Sequence, residues 1–192
     1  MNRVGFGRTT LIPKKLKVIA AAALIASGGP AFIGSSGAPA LAATTSTTAY
    51  VWHPDYATAL LSAINKSRAK YGIAPLKSSY EIARAAHAHN MWMARANLLS
   101  HQLPGELSLG ARVSKYDGSW TILAENCAWT SVQSLAATLQ VHAMMMAEGR
   151  PPAGQTNHYS NLMNPRMHVA GVDVEWDGYH HKLWITEDFA DR

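Results

Sequence analysis

Apolar positions along the chain follow a helical period through most of its length and switch to a strand period near the C-terminus. From Pro54 to Tyr71, Ala57, Leu60, Leu61 and Ile64 recur at i, i+3, i+4 and i+7, which predicts an amphipathic helix ended by Gly72. Ile73-Ala74-Pro75-Leu76 crosses to a second helix, opened by the capping pair Ser78 and Glu81. Ile82, Ala86, His89 and Met93 mark one face of that helix, which fades near Asn97. Residues 98–119 carry Pro104, Gly105, Gly110 and Gly118 and read as loop. A third helix fits Ser131 to Ala147, with Val132, Leu135, Ala136, Leu139 and Ala143 in phase, and Gly149-Arg150-Pro151-Pro152 stops it. A helical turn is expected from Asn157 to Met163. Beyond it Val172, Val174 and Trp176 alternate with Asp173, Glu175 and Asp177, the pattern of a half-buried strand. Asp177-Gly178 is a hairpin signal, with His181 to Thr186 as the returning strand. Helices followed by a hairpin imply an α+β fold, and no internal repeat is present.

The first 42 residues follow a different pattern. Arg3, Arg8, Lys14, Lys15 and Lys17 precede the apolar run Val18 to Ala26, and Ala40-Leu41-Ala42 offers the small-x-small pattern of a signal peptidase site. Ser27-Gly28-Gly29-Pro30 breaks the run before it reaches the roughly 20 residues of a membrane span. The expected division is a signal peptide over 1–42, a polar linker over 43–53 and one domain over 54–192. That predicts a secreted protein, extracellular or held in the cell envelope, with no stable membrane span after cleavage. The chain of 192 residues, 48% hydrophobic and 15% charged, suits one packed domain. A net charge of +5 suggests a polyanion partner, but five of the 17 basic residues lie in the leader, which has no acid. The remaining basic residues equal the 12 acids, so the nucleic-acid reading loses its support. Cys127 is the only cysteine, which rules out an intramolecular disulfide. With no basic neighbour in sequence to activate it, it reads as a buried structural thiol.

Four residues could carry chemistry together. His101 follows the second helix in Asn97-Leu98-Leu99-Ser100-His101, and Glu125 lies in Ala124-Glu125-Asn126-Cys127-Ala128. Glu148 precedes the Gly-Arg-Pro-Pro break, and His158 opens the last helical turn. Two imidazoles and two carboxylates suit a borderline divalent ion such as zinc, with water completing the shell. Their intervals of 24, 23 and 10 residues include no His-Glu-x-x-His motif, so spacing alone does not separate a metal site from four unconnected polar groups. The other candidates read as structural. His87 and His89 are packing or surface groups, and His180-His181 is a solvated turn that could hold an adventitious ion. Met144-Met145-Met146 is core filler, because consecutive residues point around a helix. The six tryptophans are core or rim, and Arg68 is an ion-pair partner.

A run of segments in order resembles the CAP superfamily, the SCP-like proteins that include cysteine-rich secretory proteins, plant pathogenesis-related proteins and venom allergens. These segments are Leu61 to Leu76, Ala85-Ala86-His87-Ala88-His89-Asn90-Met91, Ser100-His101 and Ala124-Glu125-Asn126. Asn157 to Pro165, Ala170-Gly171-Val172-Asp173-Val174 and Leu183 to Ala190 complete the run, which covers about residues 56–190. The resemblance implies an α-β-α sandwich with a small, mainly antiparallel sheet between helices. It places the family's cleft tetrad on His101, Glu125, Glu148 and His158, with His101 and His158 as ligands for zinc or another divalent ion. Met145 stands where the family commonly has Trp, Gly149 to Thr156 is longer than in many bacterial relatives, and the eukaryotic disulfides are absent.

Three functions fit the resemblance. The first is a non-enzymatic binding module, acting as a monomer, whose cleft engages a lipid, glycan or protein. The second is a metal-dependent, peptidase-like hydrolase with Glu125 or Glu148 as general base to a zinc-bound water. The third is an envelope structural or interaction protein. The export reading predicts a mature N-terminus near Ala43. Edman sequencing of protein recovered from the medium checks it, and an intact Met1 terminus in the membrane fraction refutes it.

Overall fold

Local capping decides where each helix starts. The computed structural model describes a strand at Lys17–Leu24 and residues 49–192; the expected cleavage site at Ala40-Leu41-Ala42 lies outside these residues. Helix α1 (Pro54–Lys70) has proline in its first turn and buries Ala57, Leu60, Ile64 and Arg68. Helix α2 (Tyr80–Ala96) is capped by Ser79, whose hydroxyl oxygen accepts from the Ile82 amide, not by the expected Ser78. It ends at Asn97, in the left-handed region at φ 49°. A short helix α3 (Leu109–Ser114), capped by Ser108, lies in the stretch expected to be loop. Helix α4 (Leu135–Ala147) starts later than its pattern suggested because Ser134 caps it. Helix α5 (His158–Leu162) begins with a reciprocal capping box between Asn157 and Ser160.

The sheet contains strands β1 (Lys17–Leu24), β2 (Tyr50–Trp52), β3 (Lys77–Ser78), β4 (Ile122–Thr130), β5 (Val169–Asp177) and β6 (Lys182–Ala190). Their order is β1-β4-β6-β5-β2, with β3 beside β5. The β2–β5, β4–β6 and β5–β6 pairs are antiparallel, while β1–β4 and β3–β5 are parallel. Strand β1 overlaps the apolar run expected to be the heart of an export signal, which does not bear on that expectation. Several expectations change here. Part of the expected linker is β2. Ser78 is committed to β3, which leaves the cap of α2 to Ser79. The Asp177-Gly178 signal produces a four-residue turn over 178–181 instead of a two-residue one, with His181 at φ 52°. Asp177 Oδ1 organises it by accepting from the Tyr179 and His180 amides.

The largest correction concerns the strand faces. β5 is buried on both faces, including Asp173 and Glu175, where alternation predicted a wet face. Helix α2 lies across β5 and β6 on one side, with α3 beside it, and α1, α4 and α5 cover the other. This α-β-α sandwich, with its small, mainly antiparallel sheet, is the architecture the resemblance implied. The close approach of α2 depends on Gly171, where a Cβ would lie 2.1 Å from the Ala83 nitrogen. The main core joins Leu60 and Ile64 of α1 and Val141 and Met145 of α4 to Val174, Ile185 and Phe189 of the sheet. On the other side Ile82, Val113, Trp120 and Leu123 pack together, with Met93, Cys127 and Trp184 nearby. Met145 is thus core, as expected, but Met144 is exposed, and so are Trp52 and Trp92.

Arg68 is fully buried and, among the described residues, has no carboxylate partner, contrary to the ion-pair expectation. Its guanidinium donates to the carbonyls of Ala74, Leu162, Asn164 and Met167, tying α1 to the end of α5 and the entry to β5. Five donors in a planar fork make arginine suited to several acceptors at once. Arg68→Met should destabilise the domain by about 3 kcal/mol or more, because the carbonyls lose their donors while the packing volume survives. Urea denaturation measures this, and a loss within about 0.5 kcal/mol would refute the assignment.

Glu187 accepts from Asn126 Nδ2 at 2.9 Å through one oxygen and has no partner for the other. Burial pushes its carboxyl up to about 7, against the opposing Asn126 hydrogen bond. A raised folded-state value means that the native state holds a proton the unfolded state has lost, so this group lowers stability as pH rises from about 4.5 to 7. Glu187→Gln should therefore match the parent below pH 4.5 and gain a stability advantage that grows up to about pH 7 and then levels off. Denaturation series at pH 4, 5.5, 7 and 8 test this, and a pH-independent difference would contradict it.

Candidate functional site

Strand β4 carries Glu125 into the space between the sheet, α2 and α3, where the side chain is fully buried. Both its oxygens are engaged. Oε1 receives His101 Nδ1 at 2.8 Å, and Oε2 receives Arg112 Nη2 in a close contact. The other guanidinium nitrogen of Arg112 donates to the carbonyls of His101, at 3.1 Å, and Leu107, at 3.2 Å. Arginine and carboxylate together fix the loop that presents His101. Glu106 stands beside the same arginine at 3.5 Å and holds His89 Nδ1 at 2.6 Å. His89 Nε2 has no hydrogen-bond partner and lies 3.9 Å from Glu125 Oε1.

Burial works against the Glu125 carboxylate, but His101, His89 and Arg112 outweigh it and hold the group at about 2. Its cross-strand neighbour Asp188 is pushed well up, first by burial and then by the Glu125 charge. The Cys127 thiol is also pushed well up, by burial and then by Glu125 and Asp188. Its sulfur lies 3.9 Å from His101 Nδ1 and from Thr186 Oγ1. This is the inert, buried thiol the sequence suggested.

The second pair lies on the α4–α5 side of the sheet. Glu148 caps the end of α4, and its two oxygens receive His158 Nδ1, at 2.5 Å, and the His158 amide, at 3.0 Å. The segment Gly149–Thr156 does not separate them, because Asn157 Nδ2 donates to the Gly149 carbonyl at 3.0 Å and closes the loop. His158 Nε2 is buried with no partner. Asn161 of α5 links the two sides, donating to the Glu125 carbonyl at 3.2 Å and to Asn126 Oδ1 at 2.8 Å. Along the outer edge of β4, β1 sets Ala20 opposite Glu125 and Ala21 opposite Asn126.

The structure thus brings each predicted histidine onto one predicted carboxylate, through Nδ1 in both cases. The sequence reading missed His89, Glu106 and Arg112. The available signal was physical: a glutamate in the apolar run Ile122 to Ala128 requires a buried cation, and Arg112 supplies it from a stretch read as loop. His87 is half-exposed on α2, with Nδ1 3.3 Å from Asp173 Oδ1 and 3.5 Å from Glu175 Oε2. His180 is tied to Asp177 at 2.6 Å, so it belongs to a built turn more than a solvated one.

Known proteins share this architecture. An extracellular protein from Bacillus anthracis that contains an SCP domain is 22% identical, with a TM-score of 0.57 over 72% of this chain and 41% of its own. An outer surface protein of Borrelia burgdorferi is 18% identical, with a TM-score of 0.60 over 74% of this chain and 99% of its own. A cysteine-rich secretory protein of Staphylococcus aureus is 20% identical, with a TM-score of 0.51 over 72% of this chain and 39% of its own. The chain therefore spans about two fifths of the length of two of these proteins. No curated protein sequence matches it. The pattern of the CAP family of cysteine-rich secretory proteins matches residues 61–189, most of the domain and every residue of the two histidine–carboxylate pairs, and the chain belongs to that family.

Proposed function

We propose that the protein is exported and acts as a non-enzymatic binding module, with a divalent ion, zinc by its donor set, held by His101 and His158. One observation carries this reading: both imidazoles give Nδ1 to a carboxylate, which leaves Nε2 as the ligating atom. A histidine oriented from behind by a carboxylate is the common arrangement in metal sites. His158 Nε2, buried at the start of α5 and unpartnered among the described residues, is a donor that an ion would satisfy. Bound there, the ion would supply a Lewis-acidic point at the edge of β4 for a lipid headgroup, glycan or protein carboxylate. Loss of the leader at export would remove β1 and bare that edge between the two pairs. The extracellular and outer-surface descriptions of the structural relatives agree with this location. Among the described residues no helix is long and apolar enough to cross a membrane.

The same geometry weighs against hydrolysis. A general base needs a free carboxylate oxygen facing its proton donor. Both oxygens of Glu125 are taken by His101 and Arg112, and both of Glu148 by the ring and amide of His158. The carboxylates orient the imidazoles, and Arg112 in turn orients Glu125. Zinc calorimetry on the exported protein should show one equivalent that His101→Ala with His158→Ala removes and that Glu125→Gln weakens about 10- to 100-fold. No peptide, ester or glycan substrate should turn over with zinc present. Metal-dependent hydrolysis that disappears in Glu125→Gln would overturn the binding reading, as would a zinc stoichiometry unchanged in the double histidine variant.

A further inference from the structure

A second set of ligand-type side chains lies at the other end of the sheet. Helix α2 carries His87 over β5, where Asp173 and Glu175 project toward it from alternate positions on the strand. The three offer Nδ1, Oδ1 and Oε2 within 4.8 Å of one another. Asp173 and Glu175 are each about 2% exposed, so two carboxylates are buried side by side. Asp173 Oδ2 accepts from Asn90 Nδ2 at 2.8 Å, which fixes that group and leaves its other oxygen toward His87. Among the described residues Glu175 Oε2 has no hydrogen-bond partner although it is buried, and neither does His87 Nδ1.

The spacing suits ligation of one cation. The His87 nitrogen is 3.3 Å from Asp173 Oδ1 and 3.5 Å from Glu175 Oε2, long for hydrogen bonds between such groups. Ligands about 2.0–2.1 Å from a tetrahedral zinc ion are about 3.3–3.4 Å apart, the edge of that tetrahedron. The same face opens into a pocket of ≈ 450 Å³ lined by Trp52, Tyr80, Arg84, Tyr116, His87 and Asp173. Three protein ligands with a fourth position facing a pocket is the composition of an open zinc site. The ring of Trp52 packs edge-on against His87, with centroids 6.4 Å apart, and covers one side of the imidazole.

We propose that His87, Asp173 and Glu175 form a second divalent-cation site, independent of the histidine–carboxylate pairs at β4 and open to an exogenous ligand from the aromatic pocket. Its orphaned oxygen and nitrogen become ligands, and Asn90 holds Asp173 in place from behind. The site is on the β5 side of the sheet, so removal of the leader and of β1 leaves it intact.

The test uses zinc alone as probe and separates the two sites. The parent chain should bind two equivalents in calorimetry, and the variant with His101→Ala and His158→Ala should retain one. Adding Glu175→Gln or His87→Ala to that variant should cut the remaining affinity by more than about 100-fold, beyond what loss of a merely orienting group produces. Melting curves without metal check that each variant is folded, and zinc should raise the midpoint only where a site survives. His87 is half-exposed, so its replacement keeps the test open if Glu175→Gln folds poorly. If the double histidine variant binds no zinc, this proposal fails and the reading of the β4 cleft stands. Remaining zinc that is insensitive to Glu175→Gln and His87→Ala but lost with His180→Ala would place the ion at the turn and also refute it.

Discussion

A carboxylate removed wholly from water has to be matched by charge and by donors, and at Glu125 that match organises the centre of the molecule. Desolvating the pair costs several kcal/mol per ion, recovered only where the geometry is good and the remaining lone pairs are occupied. Arg112 meets one oxygen and His101 the other, while the second guanidinium nitrogen secures the loop through the carbonyls of His101 and Leu107. The short helix α3 carries Arg112 onto Glu125 of β4. His101 is consequently held by its side chain and by its own carbonyl.

The sandwich sets the conditions for this chemistry. A sheet covered on both faces has no wet side for its polar residues, so Asp173, Glu175, Glu187 and Asp188 are buried with Glu125. Helical cover can come so close because Gly171 has no side chain, which lets the backbone of α2 rest on β5. The domain has two fully or nearly buried arginines for these acids, and Arg68 is used instead to clamp backbone carbonyls. Burial therefore leaves Glu175 and Glu187 high, at about 7, while Glu125, supplied with positive charge, stays low. Two environments on one sheet thus give carboxylates of opposite character. Glu125 is ionised and orients His101, whereas Glu175 and Glu187 resist ionisation.

The apolar run that reads as the core of an export signal also supplies β1. In the full chain the apolar run Lys17–Leu24 extends the sheet beside β4, where its Cα register reaches Glu125 and Asn126. Hydrophobic character alone suits both a leader and an edge strand, because each requires the segment to leave water. Removal of the proposed leader would take β1 away and leave the β4 edge bare.

Much of the architecture was legible in the residues themselves. The helical period from Ala57 to Ile64, the Pro-Pro break after Glu148 and the alternation from Val172 to Asp177 depend on local geometry, so they placed α1, the end of α4 and β5 to within a few residues. The order of the Ser-His, Ala-Glu-Asn and Asn-His-Tyr-Ser segments named His101, Glu125 and His158. Strand β4 was not legible, because Ile122 to Thr130 has no regular alternation of apolar and polar positions. The cap of α2 moved from Ser78 to Ser79 because Ser78 was needed by β3, a partner far along the chain. Which histidine meets which carboxylate, that Arg112 neutralises Glu125, and that His87 faces Asp173 and Glu175 were decided only by tertiary structure. Those contacts join residues up to about ninety positions apart, and the burial that gives them their strength exists only once the helices close over both faces of the sheet.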